Sequence, residues 1–199
     1  MKPKIKTYIQ PKKIGLTGNI GAGKTTIAKI FKSLGIPIFN SDIESKKILH
    51  TPDVRERVAK ELNLEYNDIK DVRKLRNIVF SDKNKLLKLN LILHPIVNTQ
   101  FTKWYRKQTS DYIIKESALL FETNNYKLLD KTILVYASKK VRFERVFKRD
   151  ISASLIDKVM SNQLIFKEVK EKADFIIDNN GEELLIPQVI KIHELLFNL

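Results

Sequence analysis

Cysteine is absent from this 199-residue chain. That excludes a disulfide framework, a thiolate metal site and a thiol nucleophile, and it suits a reducing compartment, so a cytoplasmic location is expected. Histidine is nearly as scarce: three copies, scattered as His50, His94 and His193, leave no transition-metal constellation. Long apolar runs are missing too. Lys, Asp, Glu or Asn interrupts every hydrophobic stretch well before the roughly 20 residues a membrane span needs. There is no Gly/Ser/Pro linker, repeat or low-complexity tract, and the length suits one well-buried domain over residues 1–199. The basic stretch Met1–Lys12 lacks the features of a secretory or transit peptide and reads as a short extension.

What the chain has in excess is positive charge, 37 Lys and Arg against 23 Asp and Glu, or +14. A basic surface attracts polyanions and anionic metabolites. The lysines are spread along the whole chain rather than gathered into one footprint, as in Lys46-Lys47, Lys83/Lys85/Lys88 and Lys139-Lys140. A nucleic-acid-binding protein is therefore the lesser reading, and no specific nucleic acid is expected as a partner.

Periodicity organises the rest. Lys13-Ile14-Gly15-Leu16-Thr17 is a short apolar run that stops at a glycine cluster, and helical spacing (Ile27, Ile30, Phe31, Leu34) follows until Gly35. Ile36-Pro37-Ile38-Phe39 is a second run, and a parallel strand pair with its crossover helix is the economical arrangement. From Ile43 to about Lys107 charged amphipathic segments take over, with Leu86, Leu89, Ile92, Leu93 and Val97 at helical spacing. Strand character returns at residues 112–114, 132–136 and 175–177. Ile186, Val189, Ile190, Leu196 and Phe197 mark a closing helix. The alternation predicts an α/β fold with a parallel sheet of about five strands flanked by helices.

Gly18-Asn19-Ile20-Gly21-Ala22-Gly23-Lys24-Thr25 matches the phosphate-binding loop pattern and lies where that pattern belongs, between a strand and a helix. Glycines let successive amides turn inward onto phosphate oxygens, and the following helix adds its positive end. Asn19, Ile20, Gly21, Ala22, Gly23, Lys24, Thr25 and Thr26 are thus the nucleotide-binding candidates, with Lys24 on the β- and γ-phosphates and the Thr25 hydroxyl on Mg²⁺. No base-reading element of a GTPase is present, so ATP is favoured, and the small size points to a small-molecule kinase. Asp42, at the end of the second run, is placed to accept or orient an acceptor proton; as a helix N-cap it would serve a compatible role. Arg142, Arg145 and Arg149 share one helical face that suits closure over phosphates and equally suits a solvated surface. Trp104 and Tyr105 could stack on an adenine, though a single Trp in an amphipathic helix is more often core.

Taken in order, these patterns resemble the dephospho-CoA kinase family over nearly the whole chain from Lys13. The resemblance rests on Ile14 to Thr25, Phe39-Asn40-Ser41-Asp42, Ile78-Val79-Phe80, Leu93-His94-Pro95, Leu119-Leu120-Phe121-Glu122, Arg145, Arg149-Asp150, Gln163 and Ala173 to Gly181. It implies a P-loop kinase that transfers the ATP γ-phosphoryl group to the ribose 3′-hydroxyl of dephospho-CoA with Mg²⁺, acting as a monomer or weak homo-oligomer. It also implies a core of 13–42, 108–140 and 170–199, an acceptor-binding helical insertion of 43–107 and a lid of 141–169. Asp42, Lys24 and Arg145 would be catalytic, Arg149 would join the ATP site, and Asp42, His94, Leu120 and Glu122 would face the acceptor. Thr25 and Glu116 would hold the metal. A nucleoside or nucleotide kinase of the same fold is the alternative. The chain departs from the family in having Asn40 where an acid is usual, Glu116 where a shorter acid is usual, and Val159, beside Lys158, where a lid arginine is expected.

Overall fold

The structure, a computed structural model, describes residues 10–148, 153–161, 163–164 and 166–198, with the side chains of 154 and 155 excepted. The chain runs β1 (Lys12–Thr17), α1 (Lys24–Ser33) and β2 (Ile38–Asn40), then five helices in succession: α2 (Ser41–Leu49), α3 (Pro52–Leu62), α4 (Tyr66–Lys70), α5 (Val72–Ser81) and α6 (Lys83–Tyr105). It continues with β3 (Tyr112–Glu116), a 3-10 turn (Asn125–Leu128), β4 (Lys131–Tyr136), α7 (Lys139–Phe147), α8 (Ala153–Ser161), α9 (Phe166–Lys170), β5 (Phe175–Asp178) and α10 (Leu185–Phe197).

The five strands are parallel in the order β2-β3-β1-β4-β5. This corrects the expectation that β1 and β2 pair. Sequence adjacency favours that pairing, but β3, buried along its whole length, lies between them and pairs with both. The strand pairing also decides which acid stands beside the P-loop. It is Glu116 on β3, and Asp42 is one strand further out.

Helices cover both faces. Ile27, Ala28 and Phe31 of α1, with Val189, Ile192 and Leu196 of α10, pack on Ile14, Leu16, Ile114, Ile133, Val135 and Ile177. Ile186, Ile190 and Phe197 of α10 are exposed, so the buried stripe runs through Ile192, which the sequence reading passed over. On the other face Phe39 and Ile113 join the helical insertion, whose second core contains Leu89, Ile92, Leu93, Val97 and Phe101. Trp104 belongs to this core, its ring 5.4 Å from Phe39 and 6.2 Å from Phe101. Helix α6 continues through Pro95. Among the described residues no helix is long and apolar enough to cross a membrane.

Candidate active site

β1 ends at Thr17 and α1 begins at Lys24, so the loop between them crosses the carboxyl edge of the sheet, where open α/β sheets bind ligands. Turning the amides of such a loop inward leaves its carbonyls pointing out, and those need donors of their own. The structure supplies them in order. Arg142 donates to the Ile20 carbonyl (3.5 Å), Arg145 to Gly21 (3.5 Å) and the Asn179 amide to Ala22 (2.7 Å). Asn179 closes the set, because its Oδ1 accepts from Arg145 at 3.4 Å. It is 8% exposed, at the end of β5. A Cβ on Gly23, whose φ is +100°, would run into this amide, so glycine is required there on two counts.

Inside the loop the Lys24 ammonium lies 2.6 Å from the Gly18 carbonyl. The Thr25 hydroxyl donates to Glu116 Oε1 at 3.4 Å, and the Asn40 amide donates to Glu116 Oε2 at 2.6 Å. Glu116 is 3% exposed. Burial pushes its carboxyl above the usual carboxylate range; the Lys24 charge pulls it back and Asp42 pushes it further up. Asp42 sits in the first turn of α2, exposed to solvent, with its Oδ1 3.4 Å from the Ala118 amide. It does not cap the helix. Asn40 does, accepting from the Ile43 amide at 2.8 Å. Thr26 is exposed in the first turn of α1, its amide bonded to the Gly23 carbonyl.

The structure therefore brings Lys24, Thr25, Asp42 and Glu116 together. Glu122 stands nearby and half-buried; burial raises its pKa, while the amides of Glu122 and Leu164 and the Lys24 charge oppose the rise. Leu120 is 1% exposed, with a methyl packed under Gly15, so its side chain supports the floor of the site rather than lining it. His94 stays within the insertion, where burial and then the Lys115 ammonium hold its pKa below the usual imidazole value. Arg149 and its neighbour Asp150 lie outside the described residues.

The segment from α7 to α9 reaches the loop at several points. Gln163 accepts from the Ile20 amide (2.9 Å), and Asn19 donates to the Leu164 carbonyl (3.1 Å). The Ile20 side chain packs on Val146, Ile156 and Met160. Between the loop, the end of β4 and helices α7 to α9 lies a cavity of about 600 Å³ with Asn19, Tyr136, Arg142, Met160 and Phe166 in its walls. Asn40 and Asn179 are the site residues that spacing alone did not single out, whereas Arg142 belongs to the arginine face that spacing marks. Asn179 and Asn40 stand inside the strings that carry the resemblance, so a signal was present, but their partners lie far away in sequence.

Chemically, the arrangement can grip a polyphosphate on main-chain amides and one ammonium, and it sets two carboxylates beside that grip. Among the described residues no three acidic or imidazole side chains converge. That suits Mg²⁺, which keeps few protein ligands and takes hard oxygen donors such as the Thr25 hydroxyl and the Glu116 carboxylate. The residues present thus fit such an ion.

Comparison with known proteins agrees with this geometry. The family model described as dephospho-CoA kinase matches residues 12–184. A dephospho-CoA kinase from Aquifex aeolicus is 37% identical over 193 residues, covering 92% of this chain and 96% of the relative. One from Fusobacterium nucleatum is 36% identical over 172 residues, covering 84% and 89%. A solved structure from Thermus thermophilus superposes with a TM-score of 0.82 at 26% identity, covering 94% of this chain and 98% of the other. With the P-loop, the two carboxylates beside it and a profile match spanning strands β1 to β5, this kinase chain belongs to the dephospho-CoA kinase family.

Proposed function

We propose that the protein transfers the γ-phosphoryl group of ATP to the ribose 3′-hydroxyl of dephospho-CoA, giving CoA and ADP. The observation that carries this reading is the placement of Asp42 next to Glu116, at the carboxyl edge of the sheet and beside the P-loop lysine. In that place a carboxylate meets the acceptor alcohol as it approaches the terminal phosphate. One P–O bond forms to the 3′-oxygen as the bridging P–O bond to ADP breaks, and Asp42 accepts the alcohol's proton.

Lys24 and the amides of residues 19 to 25 hold the triphosphate in line, and most of the rate comes from positioning and from charge already in place. Thr25 and Glu116 would hold Mg²⁺, which would supply positive charge to neutralise the phosphates. Arg142 and Arg145 cover the outer carbonyls of the loop, so loop shape and lid position are linked through their guanidinium groups. Glu122 and the insertion face the acceptor. The cavity under the lid gives apolar cover, through Met160 and Phe166, for part of a bulky ligand, and its closure excludes water. The chain acts on these small molecules in the cytoplasm, as a monomer or weak homo-oligomer, without a nucleic-acid partner.

The test is an acceptor panel of dephospho-CoA, nucleosides and nucleotides, each with ATP and Mg²⁺. CoA should form, and Lys24→Ala and Asp42→Asn should each lose turnover by roughly 10³-fold or more, with ATP still bound by Asp42→Asn. Faster turnover of a nucleoside, or an Asp42→Asn enzyme as active as the parent, contradicts the reading.

A further inference from the structure

Asn40 and Glu116 are register partners at the last positions of neighbouring strands β2 and β3. The Asn40 side chain is used at both ends. Its carbonyl accepts from the Ile43 amide at 2.8 Å and starts α2, while its NH₂ donates to Glu116 Oε2 at 2.6 Å. The other oxygen of that carboxylate faces the Thr25 hydroxyl at 3.4 Å. Helix α2 in turn carries Asp42 two residues on. One amide thus ties together the carboxylate beside the P-loop and the helix turn that presents the second carboxylate.

Few side chains can do both. Aspartate caps a helix as well as asparagine but has no donor for Glu116. Serine caps but is a carbon shorter. Lysine and arginine donate but cannot accept. Glu116 is almost sealed from water, and a second carboxylate against it would replace the hydrogen bond that Asn40 donates with like-charge repulsion.

We propose that Asn40 is a positioning residue for this reaction, fixing the spacing and orientation of Glu116 and Asp42 through its two hydrogen bonds. Position 40 then supplies a neutral donor matched to the buried carboxylate of Glu116. The kinetic part of this proposal rests on the kinase reading; the pairing itself does not.

The experiment has two arms. In the first, thermal unfolding of the ligand-free full chain is compared for the parent, Asn40→Asp, Glu116→Gln and the double variant. Asn40→Asp should lower Tm by about 5 °C or more in the parent background. It should be close to neutral in the Glu116→Gln background, where a glutamine amide can donate to the new carboxylate. A residue that only capped α2 would tolerate Asn40→Asp equally in both backgrounds, and that result overturns the proposal. In the second arm, Asn40→Asp should reduce kcat with ATP and dephospho-CoA by roughly 10²-fold with KM for ATP changed no more than a few-fold. An unchanged kcat in that variant would also overturn it. If the parent fails to phosphorylate dephospho-CoA while the unfolding coupling is present, the functional reading falls and the pairing stands.

Discussion

Lys115 and Glu116 are consecutive residues of β3, both buried, and they point to opposite sides of the sheet with opposite consequences. Glu116 faces the nucleotide edge. Lys115 faces the insertion, where its ammonium donates to Asn98 at 2.9 Å and lies 4.5 Å from the centre of the Phe101 ring. Burial, with Lys13 adding a smaller push, holds its pKa down to about 8. Below that pH the ammonium is charged in the folded and the unfolded chain alike, and its desolvation counts fully against folding. Above pH 8 the folded protein loses the proton while the unfolded chain keeps it up to its ordinary lysine value, so stability rises with pH in that window. Urea unfolding should show the parent gaining on Lys115→Met by on the order of 3 kcal/mol as pH goes from 8 to 10.5; parallel pH profiles would contradict this. At this scale the sequence is an uneven guide. Lys24 and Thr25 are legible because the loop pattern is contiguous, and Asp42 because it ends an apolar run. Asn40 and Asn179 are not, because each acts through a hydrogen bond to a residue 76 or 157 positions away. Whether Trp104 stacks on a ligand or on Phe39 likewise depends on which elements meet.

The β1–loop–α1 unit was read from its residues almost as it stands, since strand, glycine cluster and helix are all local patterns. The order of the strands was not, because pairing is a non-local choice that apolar runs of similar length leave open. The inward face of α10 is hidden from the sequence for a related reason. Exposed Ile186 and Ile190 are as apolar as buried Val189 and Ile192, and only the neighbouring sheet says which side is inward. Two glycines separate what the loop needs from what a turn needs. Gly35 ends α1 with φ +83° and nothing within 4 Å of a built Cβ, so Gly35→Ala should cost about 1–2 kcal/mol of stability through backbone strain and leave kcat unchanged. Gly23→Ala adds the collision with Asn179 and should abolish ATP binding, measured by calorimetry, in a protein that still folds. Equal affinity of the Gly23→Ala protein and the parent for ATP would contradict the loop geometry.

At the scale of the whole molecule helix α8 touches both the P-loop side of the sheet and the helical insertion. α8 packs against α7 and Ile20 near the loop through Ile156 and Met160, and Lys158, between them in sequence, donates to Ser81 of α5 at 3.1 Å. The net charge of +14 gives the molecule a field that attracts polyanionic ligands. Raising salt from about 20 mM to about 300 mM should raise KM for both substrates severalfold while leaving kcat nearly unchanged; a salt-independent KM would show that the field plays no part in capture. The central claim is that the carboxylate of Asp42 meets the ribose alcohol of dephospho-CoA beside a triphosphate held by the loop. The most direct measurement is phosphorus NMR of the product from ATP, Mg²⁺ and dephospho-CoA, run with the parent and with Asp42→Asn. The account predicts a 3′-phosphomonoester formed by the parent and almost none by the variant. A phosphate at another position, or equal yield from both proteins, would contradict it.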